Sequence, residues 1–255
     1  MEPILSVRSL TKTFSRPGQS TLTAVDHVSF DLFPGECLGI IGESGSGKST
    51  TVNLITRLLD ATAGEIILDG EDITRKTGRS LRAVYQKMQM VFQTPADSFD
   101  PRRTLGDGIS ESLRNCGMSR ESAAAEVERL LTRCGLSIGF SKRYPHEVSG
   151  GQCQRAAIAR ALAIRPKLLI CDEATSALDV TVQKEILELL NTLRREQGSA
   201  LSILFICHDI SLVQQFCDRI LVMYRGSIVE QGTPDEVICR PQHDYTKNLI
   251  DSVLQ

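Results

Sequence analysis

"LGIIGESGSGKST", residues Leu38–Thr50, decides how the rest of this chain is read. An apolar run stops at Ile41, glycines follow at Gly42, Gly45 and Gly47, and Lys48 and Ser49 open what reads on as a helix. Glycines let successive backbone N–H groups wrap around phosphate oxygens, and the following helix points its positive end at them. The GxxxxGK[ST] spacing carries this chemistry when a strand precedes it and a helix follows, and both signals are present. Gly42, Ser44, Gly45, Ser46, Gly47, Lys48, Ser49 and Thr50 are thus the candidate phosphate loop. Lys48 is expected to reach the outer phosphates and the Ser49 hydroxyl to hold Mg²⁺.

A phosphate cradle needs a second metal anchor and a group that organises an attacking water. "LLICDEATSALD", Leu168–Asp179, offers both, because an apolar strand delivers Asp172 and Glu173 at its carboxyl end. That end is where α/β sheets build their sites. Asp172 is expected to join the Mg²⁺ shell and Glu173 to polarise water towards the terminal phosphate. His208 follows a further strand, "ILFIC", at the same sheet edge, which brings it beside Glu173. His27, His146 and His243 are read as structural.

A second glycine-rich helix start has no chemistry of its own. "VSGGQCQRAAIARAL", Val148–Leu162, places Ser149 as N-cap, then Ala156, Ala157, Ile158 and Leu162 on one apolar face, with the pattern stopping at Arg165 before Pro166.

Around these motifs the chain alternates strands and helices. The stretch to Ile41 reads as strands with turns at "RPGQ" (Arg16–Gln19) and "FPGE" (Phe33–Glu36), and "AGEIILDGEDI" (Ala63–Ile73) as a hairpin turning at Asp69-Gly70. "KLLICDE" and "ALSILFICHD" are short unbroken apolar runs, the pattern of buried parallel strands. Between them Val182, Ile186, Leu189, Leu190 and Leu193 line one face of a helix closed by Gly198. The class is α/β. From Thr94 to Arg165 the helical period dominates, which divides the chain into a core of residues 1–93 and 166–255 and an inserted helical lobe of residues 94–165.

Composition agrees. The 255 residues are 41% hydrophobic and 24% charged, enough to bury a large core. A net charge of −2 argues against a nucleic-acid binder that relies on a basic face. No window approaches about 18 consecutive apolar residues, and the first residues carry charges where a signal peptide needs its apolar stretch. The eight cysteines are scattered without a CxxC pair, several inside apolar runs, and read as reduced, buried hydrophobes of an intracellular protein.

With the phosphate loop, Gln93 in "QMVFQ", the Ser149–Gln152 helix start, the acidic strand and His208 in that order, the sequence resembles the ATP-binding cassette ATPases over essentially its whole length, one cassette of about residues 4–250. The resemblance implies a P-loop NTPase (RecA-like) core with an N-terminal antiparallel β subdomain and an inserted α-helical subdomain. It also gives the second helix start a use: Ser149, Gly150, Gly151 and Gln152 match the signature that binds the γ-phosphate of an ATP held by a facing subunit. By the same resemblance Phe14 stacks on adenine, and Gln93 in "QMVFQ" reaches Mg²⁺ and water and senses a transmembrane partner. Asp179 in "SALD" crosses the dimer interface. Val148 stands where leucine is commoner and Ala174 where proline is; neither change removes a contacting group.

"SFDPRRTLGDGISE", "RYPHEVSGGQCQR" and "PQHDYTKNLIDSV" are similar to the ATPase subunits of oligopeptide, dipeptide and nickel importers. That branch implies ATP hydrolysis coupled to separate permease subunits, an extracytoplasmic solute-binding protein, a second cassette and a place on the cytoplasmic face of a prokaryotic membrane. In "TPADSFDP", Ser98 and Phe99 are the expected contacts with a permease helix. Longer relatives carry a cysteine-rich extension for an iron–sulfur cluster; with only Cys239 near Gln255, no cluster is expected. The alternative is a cassette subunit of a carbon–phosphorus lyase complex, which is not a transporter.

Overall fold

The structure is a computed structural model that describes residues 2–15, 21–175, 178–196 and 201–252; the turn at Arg16–Gln19 and the closing Gly198 lie outside the described residues. The chain opens with β1 (Leu5–Phe14), β2 (Leu22–Leu32) and β3 (Cys37–Ile41), and α1 (Lys48–Ile55) follows the phosphate loop. Next come β4 (Ala63–Leu68), β5 (Glu71–Asp72), α2 (Gly78–Lys87) and β6 (Met88–Val91). Three helices follow, α3 (Leu105–Asn115), α4 (Arg120–Arg133) and α5 (Gly150–Leu162). The chain then runs through β7 (Leu168–Asp172), α6 (Val180–Glu196), β8 (Ser202–Ile206), α7 (Ile210–Phe216), β9 (Arg219–Tyr224), β10 (Ser227–Gly232) and α8 (Asp244–Asp251).

The strands form two sheets. A six-stranded sheet has the order β10-β9-β3-β8-β7-β6, parallel except for β10, and a four-stranded antiparallel sheet has the order β2-β1-β4-β5. The central strands are apolar throughout because both faces are covered. Their side chains alternate between two cores, as the strand's period of two requires. Leu169, Cys171, Ile203, Phe205, Ile220 and Val222 face a core shared with α3 to α8, whereas Leu168, Ile170, Leu204, Ile206, Leu221 and Met223 face one shared with α1 and the antiparallel sheet. The Asp69-Gly70 turn has positive φ at both residues, 52° and 75°, which is the primed geometry that hairpins favour.

α5 is shorter than its apolar pattern. It ends at Leu162, three residues before Arg165, which precedes Pro166 and takes a left-handed φ of 54°. Among the described residues no helix is long and apolar enough to cross a membrane. Six cysteines are buried, with Cys116 and Cys239 exposed, and burial pushes the Cys171 thiol up to about 12.

Candidate functional site

The phosphate loop leaves β3 into the angle between β9 and the antiparallel sheet. Gly42 has φ of 149°, and a Cβ there would sit 2.2 Å from the Met223 carbonyl oxygen. Gly47, with φ of 106°, would place one 2.5 Å from the Ala24 carbonyl oxygen. Both contacts are with backbone, which cannot swing aside, so the loop closes only with glycine at these positions. The turn between β9 and β10 completes the grip: Gly226 N–H donates to Ser46 O at 2.9 Å and Asp26 N–H to Gly226 O at 2.8 Å. A cleft of about 370 Å³ results, lined by Leu22, Thr23, Ala24, Ser44, Gly45, Gly47, Lys48, Ser49, Thr50, Glu173, Arg225 and Gly226.

The charges in this cleft are held under tension. Lys48 is only 5% exposed, and its amine donates to the Gly42 and Glu43 carbonyls at 2.7 and 2.8 Å. Burial lowers its pKa, with Glu173 and Asp172 pulling the other way. Burial, reinforced by the Glu173 charge, raises the Asp172 carboxyl, and Lys48 opposes the rise. Asp172 Oδ1 is buried without a hydrogen-bond partner. An orphaned carboxylate oxygen beside a phosphate loop fits a hard divalent cation. Among the described residues no group of three or more His, Cys, Asp or Glu side chains could hold a metal. Mg²⁺ is ordinarily held by one or two protein oxygens together with phosphates and water.

Three strand ends converge on Glu173. Its N–H donates to Ile206 O at 3.0 Å and its φ is 47°, a conformation costly for a non-glycine residue and concentrated at functional sites. Gln93, just past β6, donates from Nε2 to Glu173 Oε2 at 2.9 Å. His208, just past β8, brings Nδ1 to 3.9 Å from the same oxygen. Phe14 ends β1 opposite Leu22 and does not line the cleft; its ring is 41% exposed, with the Lys12 amine 5.2 Å from the ring centre.

The second helix start lies elsewhere. None of Ser149, Gly150, Gly151 and Gln152 lines the cleft, and Ser149 and Gly150 are exposed. A capping box closes the helix on itself: Gln152 N–H donates to Ser149 Oγ at 3.3 Å and Ser149 N–H to Gln152 Oε1 at 3.0 Å. Gly151 packs so tightly that a Cβ would lie 2.6 Å from Val182 Cγ1 on α6. Asp179 caps that same α6, accepting the Val182 N–H at 3.0 Å.

The permease contact expected at Ser98 and Phe99 is not available. Both are buried, 8% and 7% exposed, and a Cβ on Gly108 of α3 would lie 2.6 Å from the Phe99 ring. Phe99 is core of the helical layer, because Gly108 leaves a hole that only a ring fills. Thr94, Ala96, Asp97, Asp100 and Pro101 form the exposed part of this segment. The cleft wall formed by Leu22–Ala24 and by Arg225-Gly226 has no place among the sequence motifs. Its readable signal is the two-residue Arg225-Gly226 turn after an apolar strand, with φ of 48° at Arg225 and 87° at Gly226.

A nucleotide cleft in one place and a closed, donor-bearing glycine helix start in another define a cassette ATPase. The sequence model of the ABC transporter family matches residues 25–176, and the chain belongs to that family. It is 48% identical to "Glutathione import ATP-binding protein GsiA" of Escherichia coli (strain K12), over 99% of this chain and 41% of that protein. The protein of the same name from Salmonella typhi is also 48% identical, with the same coverage. The chain thus spans about two fifths of the length of these relatives. These import proteins lend no support to the carbon–phosphorus lyase alternative. Among solved structures, the ATP-binding cassette MJ0796, a dimer in a post-hydrolysis state bound to ADP and Pi, superposes with a TM-score of 0.81 at 30% identity, covering 90% of this chain and 98% of that one. Clostridium perfringens cbiO1, part of the ABC transporter complex cbiONQ, gives 0.83 at 29% identity, covering 94% and 92%.

Proposed function

We propose that this chain is the ATP-hydrolysing cassette of an importer for peptides, glutathione, nickel or a similar small solute, peripheral to the cytoplasmic face of the membrane. The observation that carries the reading is the separation just described: Lys48, Ser49 and Glu173 share one cleft, and Ser149–Gln152 stand outside it. In this reading residues 1–93 and 166–255 are the nucleotide-binding core, and residues 94–165 are the lobe that carries the signature.

Lys48 and the amides of Gly42, Ser44, Gly45, Ser46, Gly47 and Thr50 bind the phosphates, and Phe14 swings over the adenine. Ser49, Asp172 and Gln93 would hold Mg²⁺, which would neutralise charge on the β- and γ-phosphates. Glu173 orients and polarises the attacking water, with His208 and Gln93 on its flanks. The site is completed by Ser149, Gly150, Gly151 and Gln152 of a second cassette, identical or sibling, with Asp179 at the interface. Permease subunits, and through them a solute-binding protein, complete the transporter. The names of the GsiA relatives favour a peptide-like solute. Reconstitution with its permease subunits and solute-binding protein tests this: peptide, glutathione or nickel should each be tried as a stimulant of phosphate release. One of them should raise the rate, and Glu173→Gln should abolish it. A rate that ignores every solute, or survives Glu173→Gln, defeats the reading.

A further inference from the structure

The phosphate loop is held from a side that carries none of its family motifs. Tyr245, in the first turn of α8 and 9% exposed, accepts the Glu43 N–H on its hydroxyl at 2.9 Å. That N–H belongs to the same peptide unit as the Gly42 carbonyl, which accepts the Lys48 amine at 2.7 Å. A trans peptide is a rigid plane whose N–H and C=O point in opposite directions. Tyr245 and Lys48 therefore grip one plane from its two sides, 202 residues apart in sequence for the Tyr245–Glu43 contact. Hydrogen bonds linked through one peptide also polarise each other.

Tyr245 is itself well anchored. Its N–H donates to His243 Nδ1 at 3.1 Å, while Glu230 on β10 accepts the N–H groups of Gln242 and His243 at 2.8 and 3.0 Å. Its ring stacks on Tyr224 with centroids 4.0 Å apart, and Tyr224 carries the Arg225 guanidinium at 5.0 Å. Arg225 lines the cleft, so α8 meets the nucleotide site at its loop and at its wall. Burial pushes the Tyr245 phenol above its ordinary range, which keeps the hydroxyl neutral.

We infer that Tyr245 is a positioning residue for the nucleotide: through the Gly42–Glu43 peptide it fixes the Lys48 amine, and so couples docking of α8 to occupancy of the cleft. The inference rests on the nucleotide reading above. Coupling between two sites is reciprocal, so ATP must in turn steady α8.

Tyr245→Phe keeps the stacked ring and removes the acceptor. Affinity for a fluorescent ATP analogue with Mg²⁺ should fall about fivefold, the factor expected for one net hydrogen bond. In the parent, ATP should slow amide hydrogen exchange over residues 244–251, and in Tyr245→Phe that protection should disappear. Leu249→Ala, which trims one apolar contact of α8 but leaves the helix docked and the hydroxyl in place, should lower Tm and leave affinity within about twofold of the parent. Parent-like affinity or parent-like protection in Tyr245→Phe would overturn the inference, as would an equal affinity loss in Leu249→Ala. Lys48→Ala is the control. If it alone loses affinity, the nucleotide reading stands without this inference, whereas a parent that binds no ATP defeats the reading beneath both.

Discussion

Two glycine-rich helix starts in this chain are built in opposite ways. At Gly47–Lys48 the helix has no side-chain cap, the loop encloses a buried lysine, and a buried carboxylate oxygen faces the same region unpaired. At Ser149–Gly150 a capping box satisfies the helix start, and neither residue is buried. The first arrangement is incomplete without an anion and a cation. The second has its outer donors satisfied by its own side chains and offers the amides of Gly150 and Gly151 on a pre-shaped surface. The contrast teaches that a helix start can serve a ligand held by its own chain, at a cost in stability, or one held by another chain, at almost none.

The sharpest way to break that comparison is Lys48→Ala. Removing a charge-assisted contact from a buried site should cost roughly 3 kcal/mol of ATP binding, about a hundredfold or more. Near-normal affinity would remove the phosphate loop from the account. A smaller effect is expected on the other side. Gly151→Ala drives a Cβ towards Val182, which should cost about 1–3 kcal/mol of stability and several degrees of Tm. Val182→Ala should restore the stability, and ATP affinity of the monomer should not change in either variant. An affinity loss there would merge the two sites.

Asp172→Asn should act in the opposite direction on stability. The raised carboxyl pKa means the folded state binds its proton more tightly than the unfolded chain, so stability is lost as pH rises through the folded pKa. Near pH 8 the nucleotide-free variant should melt about 2–4 °C above the parent. The gap should close as pH falls and both side chains become neutral, and the variant should lose the extra stabilisation that Mg²⁺ adds to ATP. A gap that widens at low pH would contradict the assignment of strain to this carboxylate.

The phosphate loop, the acidic strand and the signature helix were legible because each is local: a strand, a turn and a helix written in one run. The unbroken apolar runs of β3, β7 and β8, and the Asp69-Gly70 hairpin, were equally plain. β6 was not, since four residues containing Gln89 directly after a helix carry too little pattern. Phe99 misled for a related reason. It was expected at a permease contact, and the missing side chain of Gly108, nine residues on, instead makes room for its ring in the core. The cleft wall at Leu22–Ala24 and Arg225, and the grip of Tyr245 on Glu43, arise from distant pairings that no window of sequence contains. Motifs reveal the chemistry. Their supports come from topology.

The central claim is that Ser149–Gln152 form half of a site whose other half lies in a second copy of the cleft. Glu173→Gln removes a negative charge beside the γ-phosphate and should stop hydrolysis while keeping ATP bound. Light scattering with size-exclusion chromatography should then find an ATP-dependent dimer of that variant, with itself where the second cassette is identical and with the sibling chain where it is not. Adding Ser149→Arg fills the facing helix start with bulk. The double variant should remain monomeric in ATP while each monomer binds nucleotide as tightly as before; a double variant that dimerises as well as Glu173→Gln alone would contradict the account.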